Sequence, residues 1–141
     1  MKTSLLIGDH LIDLEAHLSR SRTIVTLGRC SDEAFNVLAF DDEALDLFQC
    51  QFTRTADGAW TLHNGQWRTE CPKGIRSRLQ HACALCMGCC VNVRPAHPTY
   101  SWRFPAHATL LNGQPVPTEG ITLHESDVIS VGTMMILVTT S

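Results

Sequence analysis

The chain has 141 residues, of which 44% are hydrophobic, and a formal net charge of −3 at pH 7. This length and composition suit one domain with its own apolar core and leave too little chain for two. Only three consecutive apolar residues precede Gly8 and Asp9, too few for a signal peptide, and no later run approaches membrane-spanning length. We therefore expect a cytoplasmic protein without a membrane segment.

Basic residues and cysteines are concentrated in one segment, residues 66–104. It holds six of the eleven Lys and Arg residues and one acid, a net charge of +5, whereas the rest of the chain holds five basic and thirteen acidic residues, a net charge of −8. Five of the seven cysteines also lie in it. An odd, clustered set of cysteines without an export signal favours metal ligands or reduced thiols over disulfides.

The N-terminal residues 4–16 contain two short apolar runs around Gly8-Asp9. This pattern predicts a hairpin that opens a β-domain. Leucines at positions 11, 14 and 18 also fit one face of a helix over residues 9–18, but the period-two alternation of the remaining chain favours strands.

The next predicted elements lead to a loop with several acidic residues. Residues 23–27 are rich in β-branched side chains and predict a strand that ends at Gly28-Arg29. Strands are predicted over residues 35–40 and 49–55, with the acidic turn 41–43 after the first of them.

Two Asn-Gly pairs, Asn64-Gly65 and Asn112-Gly113, lie between β-prone runs. Both residues of such a pair accept positive φ, as a two-residue type I′ turn requires, so each pair predicts a hairpin. A further hairpin is predicted around Gly132-Thr133. The fold expected is an all-β antiparallel β-sandwich of roughly ten to twelve strands with a cysteine-rich loop insertion.

The C-terminal sequence TLLNGQPV, from Thr109, followed by ITLHESDVISVG, ending at Gly132, resembles the closing signature of forkhead-associated (FHA) domains. Upstream, Leu27-Gly28-Arg29 is similar to the strand-ending Gly-Arg of that family. Ser126 stands where the family usually has a glycine. The resemblance implies a single FHA-like domain over residues 1–141, with residues 66–104 inserted in it, and a role in binding phosphothreonine peptides.

The resemblance also implies which residues contact the phosphopeptide. Arg29 stands at the family's phosphate-contacting arginine, whose guanidinium donates a bidentate fork. The alternative is a surface arginine paired with an acid such as Asp32. The family's serine, arginine and histidine in the recognition loop are replaced by Asp46, Leu47 and Gln49. Because a carboxylate at the serine position repels phosphate by ~1–4 kcal/mol, we expect impaired phosphothreonine recognition.

The second binding loop of the family, S-x-N-G-T, is altered too. If Thr109 is the family threonine, Pro105, His107 and Ala108 stand for its serine, asparagine and glycine. The expected partner is another protein or peptide, whether phosphorylated or not.

The insertion contains the sequence Cys83-Ala-Leu-Cys86, which predicts half of a tetrahedral zinc site. Cys71 and Cys90 complete a plausible set of four thiolates, and Cys89, His81 or His97 are possible substitutes. Binding of zinc would organise a segment that lacks an apolar core. An iron–sulfur cluster is the rival reading of Cys83, Cys86 and Cys89, but no Cys-Pro follows at the fourth position.

No catalytic motif accompanies these residues: the sequence has no glycine-rich phosphate loop, no G-x-S-x-G and no H-E-x-x-H. We therefore predict a non-catalytic protein-interaction module rather than an enzyme. The alternative is a nucleic-acid-binding protein that uses the basic insertion against phosphates. A third hypothesis is an enzyme or electron carrier based on the cysteines, and the basic segment could also lie against the acidic surface of its own domain.

Overall fold

The computed structural model describes residues 2–20, 23–32, 34–70 and 99–141. The chain divides into two compact units, residues 1–66 with 104–141, and residues 67–103. The predicted metal ligands Cys71, Cys83, Cys86 and Cys90 lie outside the described residues. No helix in the described part of the chain has the length and apolarity needed to cross a membrane.

The regular structure of the described residues consists of thirteen strands and one 3-10 turn, Leu14–His17. The strands are β1 (Thr3–Ile7), β2 (His10–Asp13), β3 (Ile24–Arg29), β4 (Leu38–Phe40), β5 (Cys50–Arg54), β6 (Trp60–Asn64), β7 (Gln66–Glu70), β8 (Thr99–Arg103), β9 (Leu110–Leu111), β10 (Gln114–Pro115), β11 (Ile121–Thr122), β12 (Val128–Val131) and β13 (Met134–Thr140). Eleven of these strands form the two sheets of the sandwich, a number within the expected range of ten to twelve, and β7 and β8 form a separate two-stranded sheet.

The first unit is built from two sheets. One has six strands in the order β10-β9-β12-β13-β1-β2, and the other has five in the order β11-β6-β5-β3-β4. Strands β3 and β4 pair in parallel, with Leu27 opposite Leu38, and the other pairs within these sheets are antiparallel. The all-β sandwich predicted from the sequence is confirmed, although β4 is shorter than the predicted strand 35–40.

The core lies between the inner faces of these sheets. Alternation along the strands places Leu5 opposite Val138 in the six-stranded sheet and Val25 opposite Phe52 in the five-stranded sheet, and all four side chains are fully buried. Each such side chain contributes about 1.5–3 kcal/mol through removal of apolar surface from water. The apolar core is therefore supplied by the period-two pattern of the sequence.

The predicted N-terminal hairpin is confirmed for β1 and β2 but ends at Asp13. The Asp13 carboxylate accepts a hydrogen bond from the Glu15 N–H at 2.9 Å and so caps the 3-10 turn. Buried Leu14 anchors this turn in the core. The leucine spacing that suggested a longer helix therefore reflects one short turn that follows a strand.

Only one of the two Asn-Gly pairs forms a hairpin. Asn112 and Gly113 have φ values of 52° and 84° and connect β9 to β10, as predicted. The hairpin predicted at Asn64-Gly65 is wrong, because β6 pairs with β5 on one side and β11 on the other, whereas β7 pairs with β8. With both edges of β6 occupied, the chain bends at Gly65 without folding back.

Candidate functional site

Arg29 is the last residue of β3, and its position depends on the glycine before it. A Cβ atom on Gly28 would lie 2.7 Å from the Asn36 side-chain nitrogen, 2.9 Å from the Asp46 carbonyl oxygen and closer still to that of Leu47. Only glycine therefore allows the loop 41–49 to pass this close to β3. Arg29 is half-buried, and none of the ion pairs found among the described residues joins it to an acid, Asp32 included.

The loop 41–49 begins with the predicted acidic turn. The Asp42 side chain accepts a hydrogen bond from the Ala44 N–H at 2.9 Å, and its carbonyl accepts one from the Leu45 N–H at 3.1 Å. Buried Leu45 then anchors the loop in the core. The carbonyl of Asp46 in turn accepts a hydrogen bond from the Arg29 N–H at 2.9 Å, so the loop lies directly beside the end of β3.

Asp46 connects the two loops that the sequence resemblance aligns with the binding loops of FHA domains. Its Oδ2 atom accepts a hydrogen bond from the backbone N–H of His107 at 3.1 Å. In this chain the residue at the family's serine position is thus an internal hydrogen-bond acceptor. A carboxylate has no proton to donate at neutral pH, so Asp46 cannot reproduce a serine hydroxyl that donates to phosphate.

Gln49 is fully buried and forms the main link between the same two loops. Its Oε1 atom accepts from the Asp46 N–H at 3.1 Å, and its Nε2 atom donates to the His107 carbonyl at 2.9 Å and to the Thr109 hydroxyl at 3.0 Å. The Thr109 hydroxyl donates back to the Gln49 carbonyl at 3.2 Å. Sequence comparison identified Gln49 only as a lost histidine and missed this role, because nothing in one sequence shows that residues 49 and 107–109 meet.

A second buried amide, that of Gln66, supports the end of β3 and the loop 41–49. Gln66 Nε2 donates to the carbonyls of Leu27 and Cys50, at 2.9 and 3.0 Å, and to the Asn36 side-chain oxygen at 2.7 Å. Asn36 in turn donates to the Leu47 carbonyl at 2.8 Å. These buried amides hold the end of β3 and the loop 41–49 in one hydrogen-bonded network, a role that the sequence analysis also missed.

Asn64 attaches the second loop to the five-stranded sheet. Its side-chain oxygen accepts a hydrogen bond from the Thr109 N–H at 3.0 Å, and Thr109 is fully buried. The predicted turn residue Asn64 therefore acts as an anchor for the loop 105–109. The threonine predicted to match the family motif is also a structural anchor.

The closing signature that carried the resemblance has a structural role. Asn112 accepts a hydrogen bond from the Val128 N–H and donates one to the Asp127 carboxylate, each at 2.9 Å. The other Asp127 oxygen accepts from the His124 N–H at 2.7 Å. Ser126 occupies the left-handed region with φ 69°, which explains why a glycine is usual at this position.

The formal charges around Arg29 and the loops 41–49 and 105–109 do not favour the binding of an anion. Residues 29–49 contain one arginine and six acidic residues, a net charge of −5, and the loop 105–109 adds no formal charge.

Burial raises the pKa of the Cys50 thiol to about 12, against a smaller opposing effect of the Thr109 hydroxyl, so this thiol is neutral and unreactive. Cys30, beside Arg29, is exposed.

No group of three or more His, Cys, Asp or Glu side chains is placed to hold a metal ion within residues 2–20, 23–32, 34–70 and 99–141. The four predicted cysteine ligands are not among these residues, so the zinc site stays a prediction. Cys30 and Cys50 lie in the first unit, in agreement with their predicted place in the sandwich.

Comparison with solved structures shows that this arrangement of strands is that of FHA domains. The N-terminal FHA domain of Saccharomyces cerevisiae Rad53p, solved with a phosphothreonine peptide, has a TM-score of 0.56 at 14% identity, over 100% of this chain and 94% of its own. An FHA domain from Chlamydia trachomatis has a TM-score of 0.55 at 10% identity, over 100% of this chain and 99% of its own.

An Arabidopsis thaliana FHA domain has a TM-score of 0.55 at 15% identity, over 98% of this chain and 84% of its own. Neither a protein-family model nor a curated protein sequence matches this chain. The FHA fold expected from the closing signature and from Gly28-Arg29 is thus confirmed. Identities this low establish the fold alone, so the function has to be argued from the loops.

Proposed function

We propose that this chain is a non-catalytic FHA-type module that binds a segment of another protein through the loops 41–49 and 105–109, with impaired recognition of phosphothreonine. The fold supports the first part, because similar structures include an FHA domain in complex with a phosphothreonine peptide. Both loops are fixed by buried hydrogen bonds through Gln49 and Thr109, and a preformed binding surface loses less entropy when a ligand binds.

The Asp46 carboxylate is the single observation that supports the second part. The Asp46 carbonyl oxygen lies 2.9 Å from the backbone nitrogen of Arg29, so the carboxylate belongs to a residue adjacent to the arginine that the family resemblance assigns to phosphate. Each unit of phosphate charge brought within about 4 Å of a carboxylate is repelled by ~1–4 kcal/mol, depending on solvation. The net charge of −5 over residues 29–49 adds to this repulsion and favours a neutral or basic segment instead.

Titration of matched peptides, with and without phosphate on threonine, tests this proposal. We expect the wild type to gain no affinity from the phosphate. Asp46→Asn removes the charge but keeps an oxygen for the His107 N–H, and Asp46→Ser restores the family's hydroxyl. Each should raise phosphopeptide affinity about tenfold or more, which corresponds to relief of ~1.4 kcal/mol or more of repulsion.

Arginine variants provide the control. Arg29→Ala should abolish any gain that Asp46→Ser produces, whereas Arg20→Ala, four residues before the start of β3, should have no effect. The impaired-recognition proposal would be refuted by micromolar binding of phosphopeptide to the wild type that disappears in Arg29→Ala. Absence of binding to every peptide, phosphorylated or not, would count against the interaction module itself.

We also propose that the insertion holds one structural zinc ion through Cys71, Cys83, Cys86 and Cys90. The support is the C-x-x-C spacing of Cys83 and Cys86 together with the clustering of five cysteines in twenty residues. Binding free energy of a structural ion becomes folding free energy for a segment of this kind.

Elemental analysis of protein purified without added metal tests the zinc proposal. We expect close to one equivalent of zinc per chain and a colourless protein, because zinc has no visible absorption. Cys86→Ser should remove the zinc, whereas Cys30→Ser should retain it. Protein without metal, or an iron-coloured protein, would show that the zinc assignment is wrong.

A further inference from the structure

The turn between β12 and β13 lies against the loop 41–49, although the loop connects two strands of the other sheet. Val131 and Met134 pair across this turn, and Gly132 lies in it with φ 59°. A Cβ atom on Gly132 would lie 2.5 Å from the Ala44 Cβ atom and 2.8 Å from the Ala44 carbonyl oxygen. Carbon atoms in contact are about 3.5–4.0 Å apart, so only glycine lets the turn and the loop come this close.

One glycine from each sheet therefore holds the short stretch of loop that ends at Asp46. From the five-stranded sheet, Gly28 lets the carbonyl of Asp46 approach β3, and from the six-stranded sheet Gly132 lets Ala44 approach the β12–β13 turn. Leu45, between the two contacts, is buried in the core. Each of the three residues 44–46 is thus fixed by a different part of the sandwich.

We propose that Gly132 is a positioning residue of the binding site, which sets the place of Asp46 through its contact with Ala44. The proposal rests on the proposed function, because it concerns the same loop. A side chain at position 132 would displace Ala44 by about 1 Å, up to an ordinary contact distance. Asp46 follows two residues later and accepts hydrogen bonds from the backbone nitrogens of Arg29 and His107, at 2.9 and 3.1 Å. A shift of this size would lengthen both bonds beyond the usual range.

Gly8 provides a control that is matched in backbone conformation. It lies in the turn between β1 and β2 with φ 62°, and a Cβ atom there would have no atom within 4 Å. Gly8→Ala and Gly132→Ala therefore both place alanine in the left-handed region, and only the second alanine meets another part of the chain. A difference between the two variants reports the contact with Ala44 rather than the strain of the turn.

Amide hydrogen exchange of the full chain tests the positioning without any ligand. The Arg29 and His107 amides should exchange at least tenfold faster in Gly132→Ala than in Gly8→Ala. Each rate is taken relative to the Phe52 amide of the same variant, because this central core strand opens only in global unfolding. A general loss of stability would accelerate all three amides and leave these ratios unchanged.

A second variant crowds the same contact from the loop side and leaves the turn glycine in place. Ala44→Val adds two methyl groups next to Gly132 without placing a side chain at positive φ, so it should accelerate the same amides even if Gly132→Ala fails to fold. Ala56→Val, at an exposed position in another turn, is its control and should leave the exchange ratios unchanged.

Affinity for a phosphothreonine peptide, measured in the Asp46→Ser background, tests the link to binding. Adding Gly132→Ala should weaken the peptide affinity at least tenfold, whereas adding Gly8→Ala should leave it unchanged. Ala44→Gly, combined with Gly132→Ala, removes the nearest contacting atom and should restore part of the affinity. A variant that was merely less stable would still bind the peptide with unchanged affinity in its folded fraction.

The two measurements separate this proposal from the proposed function. Equal exchange ratios in Gly132→Ala and Gly8→Ala, or in Ala44→Val and Ala56→Val, would overturn the positioning role. Changed exchange ratios with unchanged peptide affinity would overturn its link to binding. If Asp46→Ser gains no affinity from the phosphate, the explanation of impaired recognition fails, and the exchange of the Arg29 and His107 amides still decides whether Gly132 positions the loop.

Discussion

Replacement of Gln49 by leucine tests how the loops are held. The substitution keeps a side chain of similar size but removes the acceptor for the Asp46 N–H and the donor to His107 O and Thr109 Oγ1. A buried hydrogen bond contributes about 1 kcal/mol, so the loss of three lowers the free energy of unfolding by about 3 kcal/mol. For a chain of this size that corresponds to a fall in Tm of roughly 10 °C.

Urea denaturation measures the loss of stability, and hydrogen exchange locates it. Exchange should accelerate at the Asp46 amide, which loses its acceptor, while the Gly65 amide remains protected because it bonds to the Gln49 carbonyl, which the variant retains. Gln114→Leu, at an exposed position in β10, is the control and should leave stability unchanged. A loss below about 0.5 kcal/mol for Gln49→Leu would refute the view that this amide holds the loops together.

Two further predictions concern stability. Ser126→Gly should raise the free energy of unfolding by about 0.5–1 kcal/mol, because it relieves the backbone strain of a non-glycine residue at φ 69°. Ser126→Ala keeps that strain and should bring no gain. Denaturation curves of both variants measure the difference. The pKa of Cys50 is raised from its ordinary value of 9.0 to about 12 in the folded protein, so its contribution to stability is complete below pH 9 and is lost as the pH rises from there towards 12. Between about pH 8 and about pH 10.5, the wild type should therefore lose about 2 kcal/mol more of its free energy of unfolding than Cys50→Val does. A difference between the two proteins that stays constant with pH would contradict this.

The strands could be predicted from the sequence because their signals are local. Alternating β-branched residues, and glycine or asparagine at positions that need positive φ, indicated β3, β12 and β13 and the turn at Asn112-Gly113. The same local signal failed at Asn64-Gly65, because a hairpin there would need a free edge of β6, and β5 and β11 occupy both edges. Pairing partners are a property of the sheet, not of the dipeptide.

For the candidate site, the sequence predicted the identity of several residues but not the contacts between them. The resemblance indicated Arg29 and the changed residues at positions 46, 47 and 49, and the structure brings Asp46 and Gln49 together with the loop 105–109. The buried amides Asn36 and Gln66 were missed. A polar residue in a β-prone run looks like a surface residue, and only the contacts across the fold show that its hydrogen bonds are made internally.

The substitutions at positions 46 and 49 act on the same set of atoms, and this suggests why they occur together. The carboxylate of Asp46 accepts the His107 N–H, while the amide of Gln49 donates to the His107 carbonyl and the Thr109 hydroxyl, so both polar groups of the His107 backbone are satisfied from within the chain. A donor already bonded to Asp46 is not free for a phosphate or a peptide carbonyl. Ligand binding at this point would have to break an internal charge-assisted hydrogen bond, which contributes about 1.5–3 kcal/mol. The loops are thus arranged to keep one shape without an anion, and under the proposed function a partner would gain affinity from a shape complementary to the loops and from a positive charge.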